Sequence, residues 1–262
     1  MSDETKSGPL KVSFDRDGAL LRLRLARPKA NLIDAAMIAA LRTALAERRG
    51  GPGNPIRGAL LDSEGASFSF GASVEEHLAE RCAQMLGSLH ALIIEMLEWP
   101  APILVAVRGQ CLGGGLEVAM AGSLIFSSPE AKFGQPEMQL GVFAPAASCL
   151  MPPRIGQAAA EDLLFSGRSI DAAEAKTLQL VHQVSEDPEA AALAYFDAHL
   201  AAKSAASLAC ALAAARGAYL PLVKSRLAEV EKMYLEQLMK TRDANEGLAA
   251  FLDKRKPRWE HR

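Results

Sequence analysis

Residues 103–117 read Ile103-Leu104-Val105-Ala106-Val107-Arg108-Gly109-Gln110-Cys111-Leu112-Gly113-Gly114-Gly115-Leu116-Glu117. Ile103 to Val107 is a short aliphatic run without charge, the composition of a strand covered on both faces. Three consecutive glycines then open backbone conformations closed to other residues and let a ligand approach the amide groups. The apolar run that continues through Met120 starts a helix, whose first N–H groups are unpaired and carry partial positive charge. Buried strand, glycine turn and helix start describe an α/β protein with a place for an anion. The spacing is not GxGxxG and no Gly-Lys-Ser/Thr follows, so neither a dinucleotide fingerprint nor a phosphate loop is present. A turn needed only for close packing would carry the same glycines.

Working outward, strands alternate with helices. Leu10 to Phe14 and Leu20 to Leu25 are predicted strands of a hairpin, joined through Asp15, Asp17 and Gly18; Leu21, Leu23 and Leu25 alternate with Arg22 and Arg24. Asp34 to Arg49 has helical spacing, with Asp34 as N-cap and Gly50 as stop, and residues 50–55 form a loop. Ile56 to Leu61 is a strand, and Arg81 to Trp99 a long helix ended by Pro100 and Pro102. Leu124 to Ser127 and Lys132 to Gly134 are short extended pieces. Ala158 to Phe165, Asp171 to Leu178 and Glu189 to Lys203 are helical in pattern. From Ser204 the chain is helical, broken near Gly217 to Pro221, with one long helix from about Leu222 to Asn245. The expected organisation is an α/β core over residues 1–203 and a helical C-terminal region over 204–262 that packs against other subunits.

Composition removes several classes. At 262 residues, 50% hydrophobic and 23% charged, the chain can bury a core, which excludes disorder. A net charge of -2 gives no basic excess for nucleic acid. No apolar run approaches the roughly 18 residues of a membrane span, and Met1 to Gly8 lacks the apolar stretch of a signal peptide. Cys82, Cys111, Cys149 and Cys210 form no close pair, so free thiols in a reducing cytoplasm are expected, with no metal site.

Two carboxylates carry the clearest chemistry. Glu117 lies among Leu116, Val118, Ala119 and Met120, and Glu137 lies in Phe133-Gly134-Gln135-Pro136-Glu137-Met138-Gln139-Leu140-Gly141. An acid in apolar company resists ionisation, which moves its pKa toward the range useful for proton transfer. A solvated surface glutamate is the plainer reading of either one alone. Phe68-Ser69-Phe70-Gly71-Ala72-Ser73, in a loop after a strand, can offer one backbone N–H to a ligand oxygen.

Taken together, Phe70-Gly71-Ala72, Gly113-Gly114-Gly115-Leu116-Glu117 and Phe133-Gly134-Gln135-Pro136-Glu137 resemble the enoyl-CoA hydratase/isomerase (crotonase) superfamily in order and spacing. Arg27-Pro28-Lys29-Ala30-Asn31 is similar to its N-terminal CoA-binding stretch, and Phe251-Leu252-Asp253-Lys254-Arg255-Lys256-Pro257 to its C-terminal signature. The resemblance implies a crotonase-like spiral of ββα units, two sheets at a steep angle, and a helical trimerisation region giving a homotrimer or a hexamer of paired trimers. It implies an acyl-CoA thioester substrate, with CoA as part of the substrate and no separate cofactor, and no nucleic-acid or membrane partner.

By residue, the resemblance makes Glu117 and Glu137 catalytic and the N–H groups of Ala72 and Gly114 an oxyanion hole. Lys29, Ala30, Asn31, Phe251 and Lys254 would hold CoA, and Phe70, Ser73, Val74, Phe143 and Ala144 would line the acyl pocket. Retention of both glutamates favours water addition. Ser73 stands where the family commonly has Asp, and Gly141-Val142-Phe143-Ala144-Pro145 replaces its usual glycine-rich continuation. These segments, with Val74-Glu75-Glu76-His77, resemble the branch that hydrates cyclic, conjugated dienoyl-CoA thioesters. His77 ranks below the glutamates, as a nearby polar or structural residue, and Ser73 has no recognisable His-Asp relay. The competing readings are a straight-chain enoyl-CoA hydratase, a ring-opening oxo-enoyl-CoA hydrolase, and a non-catalytic acyl-CoA or RNA-binding homologue.

Overall fold

The computed structural model describes residues 8–27, 29–48, 56–78 and 80–262. The expected stop at Gly50, the loop over 50–55 and the chain before Gly8 lie outside them, as does Pro28.

The hairpin follows the leucine alternation. β1 (Leu10–Asp15) and β2 (Leu20–Leu25) pair antiparallel with Leu10 opposite Leu25. Leu21, Leu23 and Leu25 are buried, while Arg22 and Arg24 emerge on the opposite face and meet Asp62 and Glu189. Asp34 caps α1 (Ala35–Glu47) by accepting the Met37 N–H at 2.9 Å, a contact worth about 1 kcal/mol. β3 (Gly58–Ser63) follows, then α2 (Cys82–Glu98), and β4 (Ile103–Val107) is buried at all five positions.

Past β4 the chain leaves the sheet. β5 (Gln110–Leu112), α3 (Gly114–Ala121), β6 (Leu124–Ser127) and β7 (Lys132–Gly134) come in quick succession. Then follow α4 (Pro145–Ile155), α5 (Gln157–Ser166), β8 (Ser169–Asp171), α6 (Ala172–Thr177), β9 (Gln183–Val184) and α7 (Pro188–Tyr195), the last running into a π-helical turn at Phe196–Leu200. The tail consists of α8 (Ala205–Ala215), α9 (Tyr219–Glu236) and α10 (Arg242–Leu252). One sheet has the order β1-β2-β3-β4-β6-β9, parallel from β2 onward; the other is β5-β7-β8, with β5 parallel and β8 antiparallel to β7.

Two segments differ from the sequence reading. The single helix expected from Leu222 to Asn245 is two helices: α9 already begins at Tyr219 and ends at Glu236. Pro221 sits in its first turn, where an amide has no intrahelical partner to lose. Thr241 then starts α10 by accepting the Ala244 N–H at 3.1 Å. Residues 145–155, for which the sequence pattern predicts no element, form α4, with Pro145 at its permissive start.

Candidate active site

The site is assembled by the small sheet and the loop running beside it. Ser69 bridges to Cys111 in parallel, with Ser69 N–H bonded to Gln110 O at 2.9 Å and Leu112 N–H to Ser69 O at 3.0 Å. On the other side of β5, Gly113 N–H reaches Gly134 O at 2.9 Å. Three segments therefore run side by side and end together: the first delivers Gly71 and Ala72, the second Gly113 and Gly114, the third Glu137. Ligands of open parallel sheets collect at such carboxyl ends.

Two glycines make the approach possible. Gly71 has φ +104°, and a methyl placed on it would lie 3.2 Å from Leu112 O and 3.6 Å from Gly114 N. Gly113 has φ +49°, and a methyl there would lie 2.6 Å from Glu137 Oε1. A methyl on Gly114 would sit 3.2 Å from Ala72 N, so the two amides expected to face one oxygen are neighbours. The Ala72 N–H has no acceptor among the described residues, and Gly114 heads α3, where its N–H has no intrahelical partner.

Glu117 lies one turn into α3, a helix buried along its whole length. Its Oε1 accepts the Ala147 N–H at 2.8 Å, so the carboxylate caps the first turn of α4. Burial pushes Glu117 above the usual carboxylate range, opposed by the Ala147 N–H and by the charge of His90, which is bonded through Nδ1 to Glu231. Glu137 lies in a 3-10 turn, Pro136–Leu140. Desolvation, followed by the negative charge of Glu117, pushes its pKa up to about 8. The two acids thus feel one another and titrate as a pair, the charge on Glu117 holding the proton on Glu137. Gln135, buried at 1% exposure, turns its amide nitrogen to both Glu137 oxygens at 3.2 and 3.0 Å. Sequence reading quoted Gln135 only as part of a motif.

Glu137 borders a cleft of about 710 Å³, while Glu117 lies behind it and is not part of the lining. Phe70, Ser73, Val74 and Glu137 line it as expected positions, joined by Leu140, Val142 and His77. Phe143 and Ala144, expected as pocket walls, are not among its lining residues. Phe143 rests edge-on against the buried Tyr234 ring, with centroids 5.3 Å apart, and Ala144 is the buried residue at the start of α4. Val142, read only as part of the altered segment, takes the wall position.

Of the residues expected to hold CoA, Phe251 lines the cleft and Arg255 joins it. Lys29 and Lys254 are exposed away from its lining. Ala30 O accepts the Phe70 N–H at 2.9 Å, tying this stretch to the oxyanion loop. The buried Asn31 side chain spends its amide on Glu64 O and Ser67 O and accepts from Arg27 N. Its backbone N–H donates to Arg27 O at 2.8 Å, so Asn31 fastens this turn from within. No group of three or more His, Cys, Asp and Glu side chains poised for a metal occurs among the described residues. No single helix there is long and apolar enough to cross a membrane.

Converging N–H donors beside a buried acid and a half-buried one, the charge of the first holding the proton on the second, define an acid–base enzyme that polarises a carbonyl and moves protons next to it. The profile of the family described as Enoyl-CoA hydratase/isomerase matches residues 15–262, and the chain belongs to this family, with its crotonase-like α/β fold and hydratase chemistry on acyl-CoA thioesters. It is 64% identical over 256 residues to the cyclohexa-1,5-dienecarbonyl-CoA hydratase of Thauera aromatica, covering 98% of each chain. A probable enoyl-CoA hydratase of Bacillus subtilis is 31% identical, over 95% of this chain and 98% of the relative. Among solved structures, an enoyl-CoA hydratase/isomerase from Pseudoalteromonas atlantica superposes with a TM-score of 0.82 at 28% identity, covering 96% of this chain and 99% of that one.

Proposed function

We propose that this protein adds water reversibly to cyclohexa-1,5-diene-1-carbonyl-CoA, giving 6-hydroxycyclohex-1-ene-1-carbonyl-CoA. The carrying observation is the coupled pair Glu117 and Glu137 set against the neighbouring amides of Ala72 and Gly114. The ring substrate is supported by the 64% identity to the Thauera hydratase.

In this reading the thioester oxygen takes hydrogen bonds from Ala72 and Gly114 N–H, which strengthen as negative charge develops on it. Glu117, whose carboxylate accepts the Ala147 N–H of α4 and whose negative charge raises Glu137, is in this reading the base that takes a proton from water as the oxygen bonds to the β-carbon. The electron pair moves through the ring into a dienolate. Glu137, protonated up to about pH 8, gives its proton to the far end of the diene. The oxygen and the hydrogen thus arrive at the two ends of the conjugated system, a 1,4-addition.

CoA would cross the mouth of the cleft near Phe251, with Lys29 and Lys254 toward its phosphates and the turn through Ala30 and Asn31 holding Lys29 in place. The subunits would assemble as a trimer or as paired trimers in the cytoplasm. Supporting this, α8 is built of Ala, Leu, Cys and Ser yet buries no residue fully, and Leu222 and Met233 of α9 are exposed. The function is tested with a panel of thioesters and product identification. Turnover of the cyclic dienoyl-CoA to the hydroxy-ring product, at a kcat/KM well above that for crotonyl-CoA, is expected; preference for crotonyl-CoA, or release of a ring-opened carboxylate, would overturn it.

A further inference from the structure

Among the groups lining the cleft, His77 is a titratable residue that the chemistry above leaves unused. It closes a 3-10 turn, Val74–His77, directly after the oxyanion loop. Its Nδ1 lies 2.8 Å from Ser73 O. A carbonyl oxygen only accepts, so Nδ1 carries the hydrogen and the tautomer is fixed. Burial lowers the pKa of the ring, opposed only in part by that same bond, so the imidazole is uncharged at neutral pH. Nε2 is then a bare lone pair. It has no partner among the described residues, and it is not among the occluded side-chain atoms, so it opens to the cleft that His77 lines.

Its position is tied to the reacting end of the substrate. Ser73 O, which anchors the ring, belongs to the residue next to Ala72, the expected donor to the thioester oxygen. The turn is folded back by the Glu76 N–H on Ser73 O at 3.1 Å. His77 thus stands on the cleft wall five residues beyond Ala72, in the loop that would hold the thioester end of the substrate. The wall mixes the apolar Phe70, Val74, Leu140 and Val142 with the polar Ser73, Glu137 and Gln139, so a ring can lie against hydrocarbon while a polar edge finds a partner.

Resting on the hydratase reading, we propose that His77 Nε2 is a specificity-determining acceptor for an O–H donor on the acyl ring, selecting hydroxy-ring thioesters over oxo-ring thioesters of the same shape. A hydroxyl donates to the lone pair; a ketone oxygen confronts it with a second lone pair and leaves both without a partner. The same wall therefore separates the hydratase from a ring-opening enzyme that must admit an oxo substrate.

The experiment uses the full-length chain carrying Glu117→Gln and Glu137→Gln, so that bound thioesters are not converted. Calorimetry measures the Kd of 6-hydroxycyclohex-1-ene-1-carbonyl-CoA and of its 6-oxo analogue, with His77 intact and with His77→Leu or His77→Phe; circular dichroism verifies that each variant is folded. With His77 intact the hydroxy ligand binds about tenfold more tightly than the oxo ligand, and both substitutions bring that ratio close to one. A ratio already near one with His77 intact, or one that both variants leave unchanged, overturns the inference while the hydratase reading stands. Failure of either cyclic thioester to bind with His77 intact overturns that reading and this inference with it.

Discussion

Gly113→Ala puts a single methyl between the turn and the acid. The added carbon would lie 2.6 Å from Glu137 Oε1, against an ordinary contact of about 3.4 Å or more, so the carboxyl group must retreat by nearly 1 Å. The backbone, at φ +49° and ψ -129°, also enters a region almost reserved for glycine, at a cost of about 1–3 kcal/mol. For a chain of this length that lowers Tm by about 3–10 °C and leaves the protein folded at 25 °C. The catalytic loss is larger than the stability loss implies, because displacing a proton donor by about 1 Å costs about 100-fold in rate. Hydration of the cyclic dienoyl-CoA by purified Gly113→Ala is therefore expected to show kcat reduced about 100-fold with KM within a few fold of the parent. A folded variant with parental kcat would refute the contact between this turn and Glu137 as a determinant of the acid's position.

Other outcomes follow from the same structure. Glu117→Gln and Glu137→Gln should each lower kcat by about 10²- to 10⁴-fold, measured in parallel on the same thioester; parental rates in both would remove the acid–base pair from the chemistry. The kcat/KM profile should fall above about pH 8, as Glu137 loses the proton it donates, and Glu137→Gln should lack that limb. Because Glu137 keeps its proton up to about pH 8 when folded but releases it near 4.5 when unfolded, the folded chain binds the extra proton between these values, and stability falls as pH rises through them. Chemical denaturation at pH 9 should then find Glu137→Gln more stable than the parent by about 1–3 kcal/mol, a gain that vanishes at pH 4. Asp62→Ala leaves Arg22 and Arg24 only Glu189 as a partner and should cost about 1–2 kcal/mol in denaturant titration with kcat unchanged.

Much of this molecule is legible along the chain, for reasons that differ by element. β2, β4, β6 and β7 match their expected bounds because aliphatic runs or alternation mark them residue by residue. β8 and β9, at three and two residues, are too short to show a period and exist only through their neighbours across the sheet. The break between α9 and α10 is hidden because Leu238 and Met239 continue the apolar pattern through a 3-10 turn. In the site, glycines let the segments bearing Ala72, Gly114 and Glu137 run close together, and it is the motifs' resemblance to the family, not spacing alone, that points to one site. Which side chains face the cleft cannot: Val142 and Phe143 are adjacent, and only the packing of Phe143 on Tyr234 sends one inward and the other away. Likewise the tautomer of His77 depends on one carbonyl four residues earlier.

The position at which hydrogen enters the ring tests the central claim most directly. Hydration of cyclohexa-1,5-diene-1-carbonyl-CoA in D2O, followed by NMR of the product, should show one deuterium at the allylic carbon that ends the original diene, with the hydroxyl on the β-carbon. Deuterium at the carbon bearing the thioester, the mark of a 1,2-addition, or a chain that leaves the diene untouched, would contradict the account.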